Sequence, residues 1–169
     1  MKEKEINIKL KSCSIDELST ADRRLVELAK EATRTSLAPY SEFHVGAAIL
    51  MDNGEIVSGS NQENVAYPSG TCAERTTAYY ASARFPGVPM KKIAIAAWTR
   101  KGRPEDLQWE DYFQALPISP CGACRQALLE YEHMYGNIEV ILYGRDEIFI
   151  LPSIASLLPL SFVEFGEEG

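Results

Sequence analysis

The chain lacks any run of apolar residues close to the about 20 that a membrane-spanning helix needs. Its first residues, Met1-Lys2-Glu3-Lys4-Glu5, offer none of the apolar stretch that directs secretion. From these absences a cytoplasmic protein without a membrane partner is the expectation. Positive charge is also scarce: 17 Lys and Arg stand against 24 Asp and Glu in 169 residues, a net charge of −7. The basic residues are scattered, in pairs such as Arg23-Arg24 and Lys91-Lys92. Nucleic-acid binders draw most of their sequence-independent affinity from neutralising phosphates, so this composition argues against a nucleic-acid partner. There are four cysteines, and in a cytoplasmic setting they are not read as two disulfides. Metal binding or catalysis is the expected use.

An apolar share of 46% and a charged share of 24% are those of a globular protein. Without a repeat, a low-complexity tract or a linker, residues 1–169 read as a single domain. Ser14-Ile15-Asp16-Glu17 has the form of a capping box, and Leu18, Leu25, Leu28, Ala29 and Ala32 follow at helical spacing, so a first helix runs to about Arg34. Cys13 precedes the Ser14 cap and Leu18 follows that cap by four residues, the arrangement of a hydrophobic staple, so Cys13 is read as a packing residue. Runs Val45–Met51 and Glu55–Ser60 flank Asn53-Gly54, a hairpin signal of the type I′ kind. Further strands fit residues 92–97, 137–143 and 147–151, and helices fit residues 72–84 and 121–134. A hairpin followed by strand–helix–strand alternation implies an α/β fold of three layers, α/β/α: a mixed five-stranded sheet with helices on both faces and the two later helices side by side. Residues 98–117 form a polar insertion. Its Trp109, Tyr112 and Phe113 are spaced i, i+3, i+4 and are expected in a core.

Three cysteines sit in informative surroundings. In Ser119-Pro120-Cys121-Gly122-Ala123-Cys124, Ser119 suits an N-cap and Pro120 the first helical position. Cys121 and Cys124 then share one face of a first helical turn, where the helix dipole favours thiolates. Such a pair is half a zinc site, but a redox C-x-x-C has the same form. Thr71-Cys72-Ala73-Glu74-Arg75 opens the preceding helix, with Ser69 or Thr71 as cap, and Cys72 offers a third sulfur. Glu74 follows Cys72 by two residues, roughly 200° around the helix, so it does not ligate the same ion easily but can stand beside a water on it. Three protein ligands with a fourth position open is the catalytic form of a zinc site; four ligands is the structural form. A carboxylate at the open position is placed to carry protons.

The pairing of Cys72-Ala73-Glu74-Arg75 with Pro120-Cys121-Gly122-Ala123-Cys124-Arg125 resembles the cytidine deaminase family in its three-cysteine form; this is the known signature of zinc deaminases. The likeness extends over Ala38-Pro39-Tyr40-Ser41, Phe43, Val45-Gly46-Ala47-Ala48, Asn61, Glu63-Asn64 and Leu157-Leu158-Pro159 with Phe162, in the family's order. The resemblance implies a zinc-dependent hydrolase of pyrimidine salvage. Cytidine or deoxycytidine is converted to the uridine analogue and ammonia by zinc-bound hydroxide, and a modified cytosine nucleoside is the neighbouring alternative. It implies Cys72, Cys121 and Cys124 as zinc ligands and Glu74 as the proton carrier. By the same resemblance Phe43 is expected to pack against the nucleoside, Asn61 and Glu63 to bind the ribose hydroxyls, and the backbone of Ala73 to read the base. Arg75 hydrogen-bonds the thiolates, offsetting charge that weakens the metal as a Lewis acid. The family further implies a homotetramer whose sites are completed by neighbouring subunits, Phe162 being such a contributor.

Quieter readings stand beside these. Glu74 also fits a plain acidic residue at a helix start, Asn61 and Glu63 a solvated strand end, and Phe43 a core aromatic. His44 and His133 have no motif around them and are expected at the surface or partly buried. The acidic tail Glu164-Phe165-Gly166-Glu167-Glu168 is expected to be solvated.

Overall fold

Alternation along the central strands decides which side chains face which layer. The computed structural model describes residues 1–163. In chain order it contains β1 (Lys11–Cys13), α1 (Thr20–Ala32), β2 (Phe43–Met51), β3 (Ile56–Ser60), α2 (Ala73–Arg84), β4 (Met90–Thr99), α3 (Gly122–Tyr135), β5 (Glu139–Tyr143) and β6 (Ile148–Leu151). One six-stranded sheet has the order β1-β6-β5-β4-β2-β3. β4 and β5 are parallel, joined through α3, and the other pairs are antiparallel. Ala47 and Ile49 of β2, Ile93 and Ile95 of β4, and Val140 and Leu142 of β5 pack with residues of α2 and α3, including Ala78 and Leu128. The intervening Ala48, Ala94, Ala96 and Ile141 pack with Leu25, Val26 and Ala29 of α1. The three layers expected from the sequence are therefore present, with one helix on one face and two on the other.

The small residues facing α1 permit a close approach. A Cβ added at Gly46 would stand 2.0 Å from the Ala29 carbonyl oxygen and 2.8 Å from the Thr33 nitrogen, both backbone atoms that cannot rotate away. Gly46→Ala is expected to destabilise the fold by about 3 kcal/mol, because α1 must be pushed off the sheet. The check is urea denaturation of the variant beside the unsubstituted protein.

Several expectations are corrected in detail. The sheet has six strands, not five: Lys11–Cys13 pairs with Ile148–Ile150 at one edge, a segment too short to show a pattern of its own. The Ser14–Glu17 box exists, the Ser14 nitrogen donating to Glu17 Oε2 at 2.8 Å, but it closes a single 3-10 turn (Ile15–Glu17). α1 is capped by Ser19, whose hydroxyl oxygen accepts from the Asp22 nitrogen at 3.1 Å. In the β2–β3 hairpin only Gly54 has positive φ, at 84°. Its nitrogen donates to the Met51 carbonyl and the Met51 nitrogen to that of Glu55, giving a three-residue loop, Asp52–Gly54, ended by a glycine bulge in place of a two-residue type I′ turn. Cys13 is partly buried against the α1-side cluster that contains Leu18, as a packing residue should be.

The insertion also packs. Tyr112 and Phe113 are buried in the α1-side core, and a bridge pairs Trp98 with Phe113. The Arg34 guanidinium lies 3.7 Å from the centre of the Trp109 ring. Lys30, buried by these aromatics, reaches Glu110 at 2.7 Å and Glu27 at 3.1 Å. This aromatic turn thus braces the sheet face opposite α2 and α3.

Candidate active site

Two helix starts meet at one point. Cys72 is the N-cap of α2 and Cys121 the N-cap of α3, so both helices begin later than Ser69, Thr71 or Ser119 as caps implied. At an N-cap the cysteine backbone is extended while its carbonyl already accepts a helical bond: Cys72 O from Thr76 N and Cys121 O from Arg125 N, each at 3.0 Å. The sulfurs therefore project beyond the helix ends. Cys124, one turn into α3, is fully buried.

The Cys72 and Cys121 sulfurs lie 3.8 Å apart and those of Cys121 and Cys124 3.5 Å apart; all three lie within 4.8 Å of one another. Two thiolates about 2.3 Å from one tetrahedral ion are separated by about 3.8 Å. The donor set thus fits zinc as it stands. Among the described residues no fourth Cys, His, Asp or Glu joins this group; Cys13 lies in β1, at the sheet edge.

Charge in the cluster is uneven. The Cys124 thiol, hydrogen-bonded to Cys72, lowers the Cys72 pKa to about 5, with Arg75 adding to the shift against burial. The same contact, together with burial, holds Cys124 well above the usual thiol range. Arg75 Nη2 stands 3.9 Å from the Cys72 sulfur. Its Nε is buried without a partner among the described residues, a spare donor beside a group of sulfurs about to carry negative charge. Glu74 is 4% exposed. Burial first, and then the negative charge at Cys72, raises its pKa, while its own backbone N–H and the Cys124 thiol oppose the shift.

Cys72 and Arg75 lie on the wall of a cleft of about 540 Å³ that also includes Tyr40, Asn61, Glu63, Tyr67 and Thr71. That volume suits a small-molecule ligand. Glu63 Oε2 accepts the Tyr40 and Ser41 nitrogens at 2.9 and 3.3 Å. Slight burial opposes these bonds and the Ser41 hydroxyl, but the carboxylate pKa is lowered overall. Asn61 is more heavily engaged. Its Oδ1 accepts from Ser36 Oγ (2.6 Å) and Val45 N (2.8 Å), and its Nδ2 donates to the Phe43 carbonyl (2.9 Å). It ties β3's end to β2's start and leaves one amide hydrogen for a ligand. Phe43 is partly buried against the α2- and α3-side core. Ala73 is fully buried at the start of α2, where its N–H has no intrahelical acceptor. Phe162 is exposed, its carbonyl accepting from Gln126 Nε2 at 2.8 Å.

Sequence reasoning passed over Tyr67 and gave Thr71 only a capping role, although Thr71 adjoins Cys72, Tyr67 belongs to the turn leading to it and both line the cleft. It also assigned no task to Arg125, whose Nε donates to the Pro120 carbonyl and Nη1 to that of Leu157, both at 2.8 Å. That fork fixes the approach to Cys121 against the chain's later residues. His44 is partly buried, stacked on Trp98 with ring centres 4.2 Å apart, and His133 is exposed. The acidic tail, residues 164–168, lies outside the described residues.

The sequence pattern of the cytidine and deoxycytidylate deaminase zinc-binding region matches residues 19–136, which hold all three clustered cysteines and Glu74. The chain belongs to this family. The cytidine deaminase of Sporosarcina psychrophila is 36% identical over 140 residues, covering 82% of this chain and 89% of its own. The probable cytidine deaminase of Dictyostelium discoideum is 35% identical over 136 residues, 80% of each chain. The crystal structure of cytidine deaminase from Burkholderia pseudomallei superposes with a TM-score of 0.66 at 33% identity, covering 86% of this chain and all of that one. The resemblance read from the cysteine motifs is borne out, and the chain is an enzyme of the cytidine deaminase family, a hydrolase. No helix among the described residues is long and apolar enough to cross a membrane.

Proposed function

We propose that this cytidine deaminase family member hydrolyses the exocyclic amine of cytidine or deoxycytidine, yielding uridine or deoxyuridine and ammonia, as a step of pyrimidine salvage in the cytoplasm. The observation that carries the reading is the convergence of three sulfurs from two helix starts with a buried carboxylate on one of those starts, Cys72 itself lining a ligand-sized cleft. Cys72, Cys121 and Cys124 are the ligands of a zinc ion, and the active unit is the single domain formed by the whole chain. When bound, zinc supplies the Lewis acidity that makes water a nucleophile at neutral pH.

The protein's own groups handle the protons. Glu74 is buried and its pKa is raised, so it takes a proton from water and holds it without strongly favouring its ionised form. It delivers that proton to N3 of the cytosine ring as oxygen bonds to C4. It then conveys a second proton from the new hydroxyl to the amine, which leaves as ammonia as C4 becomes a carbonyl. Arg75 offsets negative charge on the sulfurs. Glu63 and Asn61 hold the ribose hydroxyls, Phe43 lies against the nucleoside, and the Ala73 backbone faces the base edge. A homotetramer with shared sites accounts for exposed Tyr79 and Tyr80 on α2 and exposed Phe162, the last completing a neighbour's cleft.

The test is steady-state kinetics on protein carrying about one zinc per chain. Turnover of cytidine and deoxycytidine with release of ammonia is expected. Activity confined to a modified cytosine nucleoside would move the assignment to the neighbouring substrate class, and activity only on single-stranded polynucleotide would overturn it.

A further inference from the structure

Residues 1–10 belong to no helix and to no paired strand, and all are exposed. Immediately after them β1 forms the outer edge of the sheet, paired among the described residues with β6 alone. An open edge offers unpaired backbone groups to another strand. The family match starts at residue 19, so this end of the molecule is outside it. The segment before β1 nevertheless has a strand's sequence, Glu5-Ile6-Asn7-Ile8-Lys9-Leu10-Lys11. Alternation puts Ile6, Ile8 and Leu10 on one face and Glu5, Asn7, Lys9 and Lys11 on the other. The three apolar side chains are about half exposed.

The segment is complementary to itself. Paired antiparallel across a two-fold axis at Ile8, it sets Ile8 opposite Ile8, Ile6 opposite Leu10, and Glu5 opposite Lys11, each unlike pair occurring twice. A one-residue shift to an axis at Asn7 would give more exposed ion pairs, Glu3 with Lys11 and Glu5 with Lys9, but would set Leu10 against Lys4. Burying apolar side chains outweighs added exposed ion pairs, so the axis at Ile8 is favoured. A groove of about 540 Å³ runs beside the segment, lined by Ile8, Leu10, Ile150 and Pro152 together with Lys9, Lys11 and Glu139, so apolar and charged groups of the segment both border open space.

We propose that two copies of this chain join through residues 3–13, strand against antiparallel strand about Ile8, continuing the two sheets into one. The interface is isologous. It lies at the opposite end of the sheet from β3, against which α2 packs, so it is separate from any association through α2.

Charge exchange tests it, because in a two-fold interface each single reversal opposes like charges and the double reversal restores the pairing. Sedimentation of the full-length zinc-loaded protein is expected to give half the mass for E5K and for K11E, with roughly tenfold weaker self-association, and the original mass for the double variant E5K/K11E. Zinc content and nucleoside turnover per chain, unchanged in all three, show that each has folded. As a geometric readout, Ile8→Cys is expected to form a disulfide-linked dimer under mild oxidation, since directly opposed residues lie within disulfide reach. Asn7→Cys, diagonal to its own copy, is not. Equal masses for all four proteins, or cross-linking through position 7 but not position 8, would overturn the proposal.

Discussion

Glu74→Gln is expected to lower turnover of cytidine by about 10³-fold or more while leaving about one zinc per chain, as read by stopped-time product assays and metal analysis of the same sample. The substitution preserves volume in a site where the side chain is 4% exposed, so α2 should keep its place and the sulfurs theirs. What disappears is the ability to accept a proton and return it at two different atoms. An amide cannot do this at any accessible pH, whereas a carboxyl can. Because the lost interaction is made with the reacting atoms in the transition state, kcat and kcat/KM should fall together and KM should move little. If Glu74 were only an acidic residue favouring a helix start, the same change would cost less than about 1 kcal/mol of stability and leave the rate nearly intact. The two outcomes differ by orders of magnitude, so a single variant decides between them.

The layered fold and the sulfur site were legible in the sequence for different reasons. Ile93, Ile95 and Ala97 alternate with Ala94, Ala96 and Trp98, and both sets are buried; such a strand shows as an apolar run with helices on either side. The cysteine motifs were legible because a metal site restricts residue type more tightly than packing does. Cap positions were less so. Ser119, Thr71 and Ser14 all look like caps by composition, yet the helices start at Cys121, Cys72 and Ser19. Local preference among these residues is worth about 1 kcal/mol, which tertiary contacts such as the Arg125 bond to the Pro120 carbonyl readily override. β1 was not visible because three residues, Lys11–Cys13, carry too little pattern and depend on β6 to become a strand. The double use of Asn61 was hidden for a similar reason: its partners Ser36, Phe43 and Val45 are brought together only by the fold.

The second large effect expected is at Cys124. Cys124→Ser should take the protein from about one zinc per chain to near none and abolish turnover, because a hydroxyl does not ionise as a thiol does and is a poor zinc ligand. The fold should weaken as well. The starts of α2 and α3 meet at this point, where the Cys72 and Cys121 sulfurs left in the variant lie 3.8 Å apart and lose the cation that would tie the two helices together. Losing that cation is expected to lower stability by at least about 3 kcal/mol, or roughly 6–12 °C in melting temperature for a chain of this size. Cys72→Ser separates this account from a dithiol redox centre. A Cys121–Cys124 exchange site would tolerate it, since both of its sulfurs remain 3.5 Å apart. A metal site loses a ligand supplied by a different helix, and zinc and turnover should vanish as fully as in Cys124→Ser. Zinc retained at about one per chain in Cys72→Ser would mean that the sulfurs of α3 hold the ion without α2. The carboxylate of Glu74 would then have no fixed relation to the ion or to the water it is proposed to deprotonate.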